Sequence, residues 1–493
     1  MIPRPRPRTL RGVLVALVVG ALALSASAPA HAASYVAIAG SGSTWSQNAL
    51  DQWRRNVASN YGMTVNFSGT GSSAGRNDFI NGSVDFAVSE IPFQFTPEDG
   101  SAPENPTRGY AYLPIVAGGT ALMYNLKING KMVTTLQLPG DVISRIFTGE
   151  IKTWNDPAIQ GANPDLVLPA REITPVVRSD GSGSTAQFTK WMATQYPSIW
   201  TTGMTSQFPT ARVPGAKAQS GSLGVAGYVS QNYGEGAITY VEYSYALKSG
   251  FPVARVLNAA GAYVEPTAAN VEVALREARI NTDEGSRDYL TQILDGVYNN
   301  GDPAAYPLSS YSYMIVPTEY GGTFKGEAKG YTLGEFIKYV VCDGQKQAGA
   351  LGYSPLPMNL VEAAFQQIKR IPGANVGDFN SESCSNKGAV GEGAGAPGAG
   401  AGTDPAAAAA AAAAATAGSA DAATAADAVY DANGNLISGS AGAGAAAVAS
   451  PFTLASDTWG PSQTGMAVAG VLLLIAVLVP PLFMRGRRRS PGS

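Results

Sequence analysis

Between residues 34 and 373, short runs rich in β-branched and aromatic residues alternate with helical stretches, and this alternation limits the fold more than any other property of the chain. Strands are expected at 34–39, 63–67, 84–88, 113–116, 121–124, 176–177, 237–241 and 313–316. Helices are expected at 46–60, 74–81, 141–148, 185–195, 270–277, 287–297, 333–342 and 361–369. Such alternation implies α/β lobes with largely parallel sheets, whose ligands bind where strands give way to helix N-termini.

Three of these strand-to-helix junctions share one composition: G-S-G-S-T-W at 40–45, S-G-T-G-S-S-A-G-R at 68–76 and R-S-D-G-S-G-S-T at 178–185. Glycine lets the backbone approach a ligand, serine and threonine supply caps and hydroxyl donors, and a helix start exposes free N–H groups. One such junction usually means only a turn. Three, each before a helix, point to an anion site.

The second junction also satisfies two better-known patterns. Residues 69–74, G-T-G-S-S-A, fit the dinucleotide fingerprint, with Glu90 where a ribose-binding acid is expected. Residues 71–75, G-S-S-A-G, fit the nucleophile elbow, with Ser73 as nucleophile. Both readings fail on context. The chain holds one histidine, His31, and it stands in A-P-A-H-A-A-S, after four arginines and an apolar stretch at 12–24. This is the layout of a signal peptide, so residues 1–33 are expected to be removed. Export makes nicotinamide cofactors scarce, and loss of His31 removes every histidine base, histidine triad and histidine metal ligand. Neither an enzyme nor a cofactor is expected. Export also puts Cys342 and Cys384 where they can pair, with free thiols as the alternative.

Eight of the 33 basic residues sit at the two ends, so the stretch between them is acidic against a total of 36 Asp and Glu. A nucleic-acid partner, which requires a basic footprint, is disfavoured. Residues 385–456 turn to Gly, Ala and Ser, including ten consecutive alanines at 406–415. Such a segment offers little bulky apolar surface to offset its ordering entropy and reads as a low-complexity linker, averaging ~45 Å end to end. Residues 465–484 carry no charge and precede R-G-R-R-R. Twenty apolar residues suffice for a membrane-spanning helix, and the basic tail at 485–493 should stay cytoplasmic. The expectation is a single-pass protein whose bulk lies on the extracellular face of the cell membrane.

Together, the three junctions, V-D-F-A-V-S-E at 84–90, F-T-G-E-I-K-T-W-N-D-P-A-I at 147–159, G-A-I-T-Y-V-E-Y-S-Y-A at 236–246 and A-L-G-Y-S-P-L-P at 350–357 make the chain resemble the phosphate-binding protein of phosphate ABC transporters. The resemblance covers nearly all of 34–373. It implies a two-lobed, class II periplasmic-binding-protein-like fold, with lobe one at 34–120 and 312–384 and lobe two at 121–311, closing on inorganic phosphate. The ligand positions it implies are Thr44, Trp45, Ser72, Glu90, Arg178, Ser182, Gly183 and Ser184, with Ser73 and Asp180 in support. Trp45 would donate its backbone N–H, and Arg178 would bring the only formal positive charge to the anion.

Glu90 departs from the family, which usually has aspartate there. A carboxylate at that place offers sulfate only an unmatched acceptor and repulsion, whereas phosphate near neutral pH still has a proton to share. The implied partners are an ABC permease and its ATPase, as separate subunits. A surface phosphate sensor or adhesion module without transport, and a secreted phosphate-ester hydrolase, are the alternatives.

Overall fold

The computed structural model describes residues 35–382 and Cys384, together with two short antiparallel strands, Val429–Tyr430 and Leu436–Ser438. The chain divides into two units, Met1–Ala415 and Thr416–Ser493, and those two short strands belong to the second. The expected signal peptide, membrane span and basic tail lie outside the described residues, as does the linker apart from these strands. Among the described residues no helix is long and apolar enough to cross a membrane.

The first unit is built on an eight-stranded sheet. Its strands are β1 (Ile38–Gly42), β2 (Val65–Ser68), β3 (Phe86–Ser89), β4 (Tyr110–Tyr124), β5 (Thr174–Arg178), β6 (Lys217–Gln219), β7 (Ala237–Glu242) and β8 (Ser309–Pro317). They lie in the order β2-β1-β3-β8-β4-β7-β5-β6. Parallel pairs occupy both ends of the sheet, β2-β1-β3 on one side and β7-β5-β6 on the other. The middle is antiparallel, β3-β8-β4-β7. The sheet therefore has two α/β halves that share β4, whose first part pairs with β8 and whose last residues pair with β7.

Strands 113–116 and 121–124, expected as separate, are one strand because Gly118 and Gly119 are bays rather than breaks. A side chain at Gly118 would meet the Trp45 indole at 2.6 Å. The β4–β8 register shifts between Ser312 and Tyr313, which pair with Val116 and Pro114. Proline has no N–H for the ladder, and the skipped Ile115 gives its carbonyl to Gln345 Nε2 at 2.8 Å.

Helices follow most of the expected positions: α1 (Gln47–Tyr61), α2 (Ser72–Ile80), α3 (Gly140–Phe147), α4 (Gly183–Gln195), α5 (Gly221–Ser230), α6 (Tyr243–Ser249), α7 (Ala268–Leu275), α8 (Glu327–Val341) and α9 (Met358–Ile368). Sequence reading missed α5 and α6. It also expected a helix over 287–297, which does not form: Arg279–Ile280 pairs with Gln292–Ile293, and only Asp295–Tyr298 is helical. The cause is tertiary. The Gln292 side-chain amide accepts from Tyr311 N at 2.7 Å and donates to Tyr311 O at 3.1 Å, docking this segment on β8.

Cys342, just past α8, is disulfide-bonded to Cys384, 42 residues later. The core includes the buried rings of Trp53, Phe67, Phe86 and Phe336 in one half, and Phe147, Phe188 and Tyr240 in the other.

Candidate functional site

All three Gly/Ser junctions end strands of the same sheet, and they meet where its two halves face each other. At the first, β1 delivers Ser43, whose N–H donates to Val88 O at 2.8 Å and whose hydroxyl donates to Glu90 Oε1. Trp45 directs its N–H to Ser43 Oγ at 3.0 Å, and its buried indole donates to Thr120 Oγ1 at 3.2 Å. In this geometry the Trp45 amide stiffens the loop. Thr44 faces the opposite half: its Oγ1 lies 2.9 Å from Ser222 Oγ and accepts from Ser222 N at 3.0 Å.

At the second junction Ser72, the first residue of α2, donates its hydroxyl to Glu90 Oε2 at 2.8 Å. Ser73 N donates across the cleft to Gly181 O at 3.1 Å. The Ser73 hydroxyl accepts from Arg76 Nη2 at 3.3 Å. A guanidinium cannot take a proton, so nothing here activates Ser73 as a nucleophile. Arg76 itself is buried, paired through Nε with Glu104 Oε2 at 2.7 Å.

The third junction puts Arg178 at the end of β5, 2% exposed. Asp180 takes its Nε at 2.7 Å and its Nη2, which leaves Nη1, 3.5 Å from Ser222 Oγ, as the edge turned toward Thr44. Burial pushes the Asp180 carboxyl up, but hydrogen bonds from Arg178 and Gly221 N and the arginine's charge hold it below its ordinary value. Ser182 caps α4 by accepting from Thr185 N at 3.2 Å. Ser184 Oγ is buried and has no hydrogen-bond partner among the described residues. A buried hydroxyl left unpaired costs desolvation free energy, so it marks a place where a ligand atom is expected. Gly183 packs against Glu90: a Cβ there would stand 2.0 Å from Oε2 and 2.8 Å from Ser72 Oγ.

The structure thus brings Thr44, Ser72, Glu90, Arg178, Asp180, Ser182, Gly183 and Ser184 into one cluster, with Ser73 at its lip and Trp45 beneath it. Sequence reading missed Ser43, Ser222, Tyr245 and Ser312. Tyr245, on α6, donates its hydroxyl to Thr44 O at 2.5 Å, and Ser312, on β8, donates to Glu90 Oε1 at 3.0 Å. Signals existed for two of them: Ser43 stands inside the first junction, and S-G-S at 220–222 is a fourth Gly/Ser helix start, in front of α5.

The electrostatics are unusual for an anion site. Arg178 is already paired with Asp180, and Glu90 adds a further acid, so formal charge gives no positive excess. Attraction is left to the N–H groups at the starts of α2 and α4 and to the helix dipoles, because the first N–H groups of α5, those of Gly221 and Ser222, already donate to Asp180 and Thr44. Burial disfavours negative charge on two nearby groups. Burial pushes the Tyr240 phenol, which accepts from Arg178 N at 3.3 Å, up to about 12. Burial also raises Glu242 well above its ordinary value, against hydrogen bonds from Ser244, and favours its neutral form beside the Thr44 loop.

Comparison with known proteins follows the same line. The PBP superfamily domain matches residues 27–344. The phosphate-binding protein PstS3 of Mycobacterium bovis (strain BCG / Pasteur 1173P2) is 30% identical over 341 residues, covering 69% of this chain and 87% of that protein. The phosphate-binding protein PstS of Xylella fastidiosa is 30% identical over 327 residues, covering 66% of this chain and 83% of that protein. Among solved structures, a human phosphate binding apolipoprotein matches with a TM-score of 0.52 at 21% identity, over 71% of this chain and 99% of its own, a likeness of fold.

Proposed function

The chain belongs to the PBP superfamily and, within it, to the phosphate-binding proteins, and we propose that it captures inorganic phosphate between the two halves of its sheet and delivers it to an ABC transporter. One observation carries this reading: donors from both halves converge on one small cleft. Thr44 and Ser72 come from the β2-β1-β3 half, and Arg178, Ser182, Gly183 and Ser184 from the β7-β5-β6 half. A tetrahedral oxyanion reaches both sets only when the halves are together, so ligand favours the closed arrangement through its differential contacts. Lobe one would be 34–120 with 312–384, and lobe two 121–311.

In this reading Arg178 Nη1, Ser184 Oγ and the helix-start N–H groups bind phosphate oxygens, Asp180 fixes the guanidinium plane, and Ser73 secures the lip through Gly181. Trp45 supports the Thr44 loop. Glu90 Oε2 accepts the proton that phosphate retains. Among the described residues no group in the cleft is arranged as nucleophile and base together, and the relatives carry the names of binding proteins, which supports capture without chemistry. The apolar span at 465–484 and the arginines after it support a single-pass anchor that keeps the binding unit at the outer face of the membrane, near separate permease and ATPase subunits.

Calorimetric titration of the full chain in detergent tests the reading. Phosphate is expected to bind one to one with Kd of about 1 μM or tighter, and sulfate at least about 100-fold more weakly. A folded protein that gives no heat with millimolar phosphate would contradict it.

A further inference from the structure

Glu90 is held more completely than any other group in the cleft. The residue is 1% exposed and its carboxylate takes three serine hydroxyls from separate parts of the chain: Ser43 just past β1, Ser72 at the start of α2 and Ser312 within β8. Ser43 and Ser312 donate to Oε1, the latter at 3.0 Å, and Ser72 donates to Oε2 at 2.8 Å. Its backbone carbonyl accepts from Gln187 Nε2 at 2.7 Å and Gln292 Nε2 at 3.2 Å. A carboxylate oxygen has two lone-pair positions. Oε1 has both filled, whereas Oε2 has one hydroxyl and turns its other side to Gly183 at the start of α4.

Ser312 occupies a particular place in this network. It sits on β8 beside the register shift opposite Ile115, where an irregular ladder re-aims a side chain. Its hydroxyl is fully buried and lies within donating distance of two acceptors, Ser46 Oγ at 3.1 Å and Glu90 Oε1 at 3.0 Å, of which the carboxylate oxygen is the stronger and takes its single proton.

We infer that Ser312 is a positioning residue for anion selectivity: with Ser43 it fills Oε1 of Glu90 and thereby aims the one open acceptor position of Oε2 at the ligand, so that the cleft prefers an oxyanion that still carries a proton. The inference rests on the reading of Glu90 as acceptor of the phosphate proton. Without Ser312 the carboxylate can rotate and offer an unfilled Oε1, and the penalty imposed on a fully deprotonated anion falls.

Titrations of the full chain with phosphate and with sulfate, for the unaltered protein, Ser312→Ala, Glu90→Gln and the double variant, test it. Ser312→Ala is expected to lower the phosphate-to-sulfate affinity ratio about tenfold, the scale of one hydrogen bond to a charged group. In the Glu90→Gln background the same change is expected to alter the ratio less than about twofold, because the two act through one acceptor. Should Ser312→Ala fail to fold, Ser43→Ala removes the other donor to Oε1 and is expected to lower the ratio likewise. A fall in affinity for both anions together, at constant ratio, would show that Ser312 only packs and overturn the inference. That outcome leaves phosphate capture standing. An unaltered protein that binds no phosphate strikes instead at the proposed function.

Discussion

Arg178→Ala is expected to abolish phosphate binding, with an affinity loss of at least about 100-fold, the scale of removing a buried, hydrogen-bonded charge from a complex. Two of the arginine's donors are committed to Asp180, and the side chain is sealed from solvent, so no other cation can take over the Nη1 edge. The single substitution has a second consequence. It strips Asp180 of its partner while Gly221 N still donates to it at 2.9 Å, leaving a mostly buried carboxylate unpaired. Breaking a buried pair this way costs about 3–5 kcal/mol of stability. Arg178→Ala combined with Asp180→Asn is therefore expected to recover most of the thermal transition without recovering binding. Calorimetry and thermal denaturation of both variants separate the two effects. A double variant that binds phosphate within tenfold of the unaltered protein would remove Arg178 from the ligand set.

The other large effect concerns stability. The Cys342–Cys384 disulfide closes a loop of 42 residues that contains α9 and the Tyr353 hydroxyl, which donates to Trp45 O at 2.7 Å. For a loop of this length the chain-entropy estimate gives about 4 kcal/mol of stabilisation, by restricting the unfolded ensemble. Cys342→Ser with Cys384→Ser is expected to lower the unfolding free energy by about that amount in denaturant titrations, and reductant is expected to do the same to the unaltered chain. A change under about 1 kcal/mol would mean that the bond does not constrain the unfolded ensemble as the loop-closure argument requires.

The parts of this protein that sequence reveals are those whose cause is local. Gly and Ser at 40–45, 68–76 and 178–185 are needed by the turn and helix start on which each stands, so composition alone exposes three strand-to-helix junctions. The parts it hides depend on partners far along the chain. Gly118 and Gly119 look like a strand break until the Trp45 indole and the Tyr306 ring are seen lying over them. The 287–297 segment has a helical pattern, but Gln292 finds better hydrogen bonds on β8. Arg76 offers several local partners in sequence, and its ion pair is with Glu104, 28 residues on. The three serines around Glu90 stand at 43, 72 and 312, and nothing near Ser312 in sequence sets it apart from its neighbours Ser309 and Ser310. Asp180 is intermediate: its closeness to Arg178 is local, but its bond to Gly221 exists only because α5 starts beside it.

The most direct test of the account is a crystal structure of the protein grown with phosphate. The account predicts a single phosphate within about 3 Å of Thr44 and Ser72 from one half of the sheet and of Arg178 and Ser184 from the other, with one phosphate oxygen against Glu90 Oε2. A phosphate held by one half alone, or bound away from these residues, would contradict it.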